Sequence, residues 1–65
     1  MPTGQIDAAI DTFRRGLQID PLSALLYYDL GLALKAQGDS SGAKQALALA
    51  AILDPGISVR NAKPL

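Results

Sequence analysis

The side chains with most scope for chemistry in this chain are six aspartates (Asp7, Asp11, Asp20, Asp29, Asp39 and Asp54) and the lysines Lys35 and Lys44. A general acid and base could come from two aspartates held together. Most of these, however, fall toward the starts and ends of helical segments, where capping and the helix dipole favour Asp in any case. There is no His and no Cys, so a nucleophilic triad lacks its usual base and a metal site its usual nitrogen and thiolate ligands. Neither Lys35 nor Lys44 is spaced from a Ser in a catalytic arrangement. Gly4, Gly31, Gly38, Gly42 and Gly56 form no phosphate loop, for no Gly-Lys-Ser/Thr run follows a strand. Arg14-Arg15 is too short for a nucleic-acid patch, and the formal net charge is zero. The residue types therefore speak against an enzyme, a cofactor, a metal site and a nucleic-acid partner.

What remains is a question of surfaces, and of the elements that present them. Sixty-five residues make one small domain at most. Below roughly 70–80 residues a single core rarely supplies more than about 3–5 kcal/mol, and small domains usually add a disulfide, a metal or a partner. Without the first two, a partner is the expectation. Pro2, Thr3 and Gly4 follow Met1 with no basic stretch leading into an apolar one, and the longest wholly apolar run, residues 46–53, is eight long. A spanning helix needs about 20. The chain reads as soluble, with no membrane insertion; its compartment stays open, the lack of a signal segment favouring cytoplasm over periplasm.

A shift of 34 residues aligns the chain with itself. It pairs Gly4 with Gly38, Ala9 with Ala43, Asp20 with Asp54 and Pro21 with Pro55, and it sets Phe13 on Leu47, Gly16 on Ala50 and Ile19 on Leu53. The matched set is a turn glycine, a closing Asp-Pro and an apolar face between them. The match ends after Pro55, where Pro64 falls opposite Leu30. About one and a half repeats are present.

Periodicity predicts three helices and no strand, an all-α chain. The first, near residues 5–18, carries Ile6, Ala9, Ile10, Phe13, Gly16 and Leu17 on one stripe and closes at Asp20-Pro21, since the residue before proline is pushed out of the helical region. The second, near 24–37, has Ser23 as N-cap and Gly38 as a left-handed terminator. The third, near 40–53, has Asp39 as N-cap and Pro55 as stop. Residues 56–65, which include Pro64, show no sustained period and read as a tail or the stub of a following element. Short connections imply antiparallel hairpins.

The run Tyr27-x-x-Leu30-Gly31-x-x-Leu34, followed by Gly38, Ala43, Leu47, Ala50 and Pro55, resembles one tetratricopeptide repeat, the 34-residue helix-turn-helix unit. Leu34 stands where Tyr is commoner and Leu47 where an aromatic is commoner. Gly4, Ala9, Phe13, Gly16 and Pro21 resemble the second helix of a preceding repeat. The resemblance divides the chain into a partial repeat over residues 4–21, one full hairpin over 22–55, and the remainder over 56–65. It implies helices stacked in a right-handed superhelix and a non-catalytic scaffold for protein–protein interaction. Small residues at Gly31, Ala43 and Ala50 would let the paired helices approach closely, with Tyr27, Leu30 and Leu34 filling the space.

The second helix carries three apolar stripes. Tyr27, Leu30, Gly31 and Leu34 are expected on the third helix, and Leu26, Leu30 and Ala33 on the first. Leu25, Tyr28, Leu32 and Lys35, with Asp29 at the edge, are left over. In the family this leftover stripe lines the inner, concave face, so the resemblance implies a candidate peptide-binding site there; packing against a neighbouring repeat is the rival role. On the third helix, Leu49, Ile52 and Leu53 lie largely off the expected Ala43–Leu47–Ala50 face and are a candidate interface, a homo-oligomer included. A self-associating structural module and a fragment of a larger protein of this family are the alternatives to a peptide-binding scaffold.

Overall fold

The computed structural model describes residues 3–61. Four helices follow one another: α1 (Thr3–Ile19), α2 (Ala24–Gln37), α3 (Ser40–Leu53) and the single turn α4 (Ile57–Asn61). The second and third begin and end where their caps predict. Ser23 is extended (φ −78°, ψ 105°), and its Oγ accepts from the Leu26 N–H at 3.2 Å. Asp39 Oδ1 accepts from the Gly42 N–H at 2.9 Å. Between them Gly38, with φ 99°, turns the chain through the left-handed region: its N–H donates to the Lys35 carbonyl at 3.1 Å, and the Asp39 N–H donates to the Leu34 carbonyl at 2.9 Å. Those two bonds satisfy carbonyls that the end of α2 would otherwise orphan.

The turns after α1 and α3 repeat bond for bond. The Asp20 N–H donates to Gly16 at 2.8 Å and the Asp54 N–H to Ala50 at 2.8 Å; the Ser23 N–H donates to Asp20 at 3.3 Å and the Ile57 N–H to Asp54 at 3.0 Å. Each donor and acceptor is displaced by the same 34 residues. The period is thus a property of the backbone as well as of the residue types.

One reading needs correction. Gly4 was expected to be a turn residue matching Gly38, but it lies inside α1, which starts at Thr3, and among the described residues Gly38 is the glycine with positive φ. The expected Ala43–Leu47–Ala50 face of α3 does meet α2, with Ala43 and Ala50 buried beside Ala46 and Leu47 half-buried. Its bulk lies over Gly31. Residues 57–61, in the segment read as a tail or the stub of a following element, form a helical turn with Ile57 buried. Pro64 lies outside the described residues.

The core comprises Ile10, Leu30, Leu34, Ala43 and Ala46, with Ile6, Phe13, Leu17 and Ala33 half-buried against it. α1 and α3 both pack antiparallel on α2, and no Cα of α1 lies within 8 Å of a Cα of α3. Among the described residues no polar side chain is buried. Apolar burial and close helix approach are what hold the chain together.

Candidate functional site

Helix α2 has more apolar surface than α1, α3 and the turn of α4 cover. Its α3 side is close enough that a Cβ at Gly31 would lie 2.6 Å from Leu47 Cγ and 3.3 Å from the Ala43 carbonyl oxygen. On its α1 side, a Cβ at Gly16 would lie 2.9 Å from Leu26 Cδ1. Glycine at both positions is what allows the approach, because atoms closer than about 3.5 Å repel. With those two sides occupied, the 3.6-residue period leaves one stripe outward.

That stripe holds Leu25, Tyr28, Asp29, Leu32 and Lys35. Leu25 is 51% and Leu32 45% exposed, Lys35 is exposed, and Tyr28 and Asp29 are half-buried. All five share one helix and one side of it, so their mutual placement follows from α2 alone. Among the described residues neither Asp29 nor Lys35 has an oppositely charged group within 4 Å; the ion pairs are Arg15–Asp11 at 2.9 Å and Arg60–Asp54. The stripe therefore offers an apolar ridge with a free carboxylate near its middle and a free ammonium at its C-terminal end.

The second candidate group is less coherent. Leu49 lines a cleft of about 320 Å³ whose floor is Tyr27, Leu30 and Leu34 of α2 and whose far wall includes Arg14. Ile52 and Leu53 do not line it; they are exposed near the end of α3, Ile52 at 75%. Two further surface features escaped sequence reasoning. Val59 of α4 is 79% exposed and is the 34-residue counterpart of Leu25. A notch of about 230 Å³ between α2 and α3 is lined by Lys35, Ser40, Ala43, Lys44 and Leu47. The pairing of Lys44 with Ile10 in the repeat was the signal that could have pointed to the notch. Among the described residues no helix is long and apolar enough to cross a membrane, and no three acidic side chains gather as metal ligands would.

No curated protein and no solved structure matches the chain significantly. Two family models do. One, described as a TPR repeat, covers residues 3–38, which is α1, the turn and α2; the other, described as a tetratricopeptide repeat, covers residues 24–56, which is α2, the turn and α3. The two matches overlap on α2. Together with the bond-for-bond repetition of the Asp-Pro turn and the glycine contacts at both sides of α2, these matches place the chain in the tetratricopeptide repeat family.

Proposed function

We propose that the chain is a non-catalytic scaffold that binds a partner peptide or helix along the outward stripe of α2. The observation that carries this is the exposure of Leu25 and Leu32 on a helix whose other sides are packed. Single exposed leucines are ordinary, but a contiguous ridge with Tyr28 between them is the kind of surface that a partner covers. Recognition would rest on shape and apolar burial, with no bond made or broken. Asp29 adds selection by charge: an ionised carboxylate only accepts, so it favours a backbone N–H, Lys or Arg of the ligand and disfavours acidic tails. An ordinary solvated role for Asp29 is the competing account.

Titrating basic and acidic-tailed apolar peptides against the wild type, Asp29→Asn and Leu32→Asp tests this reading. The expected result is preference for the basic peptide, loss of that preference in Asp29→Asn, and loss of binding in Leu32→Asp. Equal affinities throughout would refute it. Self-association through Leu49, Ile52 and Leu53 is the second reading, supported by the exposure of Ile52. A sedimentation mass separates the two.

A further inference from the structure

The 34-residue repeat makes one comparison possible inside this chain: the seat that α1 offers to α2 against the seat that α3 offers beyond it. On α1 the seat is apolar. Ile6, Ile10 and Phe13 pack into the core with Leu30, Leu34 and Ala33, and Ile10 is 6% exposed. The counterparts of Ile6, Ile10 and Phe13 on α3 are Ser40, Lys44 and Leu47. One apolar anchor is retained, one becomes a hydroxyl and one an ammonium.

These three residues, with Lys35 and Ala43, line the 230 Å³ notch, and none of its lining residues comes from α4. A helix shaped like α2, presenting Leu30 and Leu34, would press leucines onto Ser40 and Lys44 and bury an unpaired charge. α4 does not continue the α2 pattern either. Arg60 is the counterpart of Leu26, and it pairs with Asp54 instead of seating an apolar side chain. The second seat is built for a different chemistry from the first.

We propose that this notch docks an acidic segment of a partner protein, which places one apolar side chain against Ala43 and Leu47 and carboxylates beside Lys35 and Lys44. Charge complementarity carries the choice of occupant. Among the described residues no carboxylate lies within 4 Å of either lysine, whereas Arg15 and Arg60 are paired. The volume argues for one anchoring side chain over a small-molecule ligand, whose pockets usually start at about 300 Å³. This surface lies on the α2–α3 side of the molecule, and only Lys35 is common to it and to the outward stripe.

The test is a labelled helical peptide carrying one Leu flanked by Glu at the preceding and following turn, compared with its Gln and Lys versions. Binding is read by fluorescence anisotropy and mapped by amide shifts in the 65-residue chain. At the notch, followed by the amides of Lys44 and Leu47, the Glu peptide should bind tighter than the Gln and Lys versions, weaken as salt rises, and shift those amides more than those of Tyr28 and Leu32. Lys44→Glu should lower its affinity by about tenfold, since an attraction is lost and a repulsion gained. Lys44→Ile, which restores the residue type of Ile10, should narrow the difference between the Glu and Gln peptides to the part that Lys35 still supplies. Lys44 is exposed, so neither change disturbs the core. Indifference of the Glu peptide to Lys44→Glu overturns the proposal, as do shifts confined to Tyr28 and Leu32, which belong to the outward stripe. Concentration-dependent shifts of Lys44 and Leu47 without peptide would assign the notch to a second copy and overturn it too.

Discussion

Replacing Gly31 by Ala inserts one methyl group where a Cβ would stand 2.6 Å from Leu47 Cγ, 2.7 Å from Leu47 Cδ2 and 3.3 Å from the Ala43 carbonyl oxygen. The carbonyl belongs to α3 backbone and cannot move alone; the Leu47 side chain is half-buried and can move only by giving up part of its packing. Overpacking of this kind costs about 1–3 kcal/mol. Against it stands the helix preference of Ala over Gly, about 1 kcal/mol. The net expectation is a loss of about 1 kcal/mol for Gly31→Ala, and about 1–3 kcal/mol for Gly31→Leu, which cannot fit without separating the helices. Leu47→Ala alone removes a half-buried leucine and should cost about 2 kcal/mol, the lower end of the range for buried ones. In the double variant the clash with Leu47 is gone and only the 3.3 Å approach to the Ala43 carbonyl remains, the helix preference is kept, and the new methyl fills part of the space vacated. Its cost should fall below the sum of the single costs by about 1–2 kcal/mol. Urea unfolding followed by far-UV circular dichroism, with all four proteins in the same sucrose concentration to raise the baseline, measures this cycle. A double variant additive to within about 0.5 kcal/mol, or a Gly31→Ala protein more stable than the wild type, would refute the close-approach argument.

The caps and the association state give the remaining expectations. Gly38→Ala should cost about 1–2 kcal/mol, because φ of 99° is strained for any residue with a Cβ. Ser23→Ala should cost about 1 kcal/mol through the orphaned Leu26 N–H; thermal melts read both, at roughly 4–8 °C per kcal/mol for a domain of this size. Repeat arrays draw stability from neighbouring units, and about three are normally needed. The isolated chain should therefore melt at low temperature, or its melting should rise with protein concentration and lose that dependence in Ile52→Lys. A high, concentration-independent melting temperature in the wild type would contradict this.

The parts of the fold that were legible are those written in local chemistry. Ser23, Gly38, Asp39 and Pro55 act on backbone within a few residues of themselves, so α2 and α3 end where those residues stand. Gly4 shows the limit of the same logic: a glycine is permitted in a turn but not confined to one, and the helical residues around it decided its conformation. Leu47 and Ala46 compete for the same core, and which is more buried depends on the crossing of α2 and α3, a quantity set in three dimensions. The outward stripe was legible because all its members lie on one helix. The notch was not, because Lys35 and Lys44 come from different helices and become neighbours only through the turn at Gly38.

The absence of close backbone approach between α1 and α3 has a kinetic consequence. Apart from the single turn of α4, every helix pair that packs is adjacent along the chain, so the loops that must close are the short ones at Pro21 and Gly38. Low contact order of this kind goes with folding in microseconds to milliseconds. Since α2 takes part in both hairpins, the barrier should be crossed when α2 and either neighbour have docked, and the second hairpin should then form downhill. The same chain can thus start from either end, and a weakened α1 or α3 would redirect the route more than it slows it.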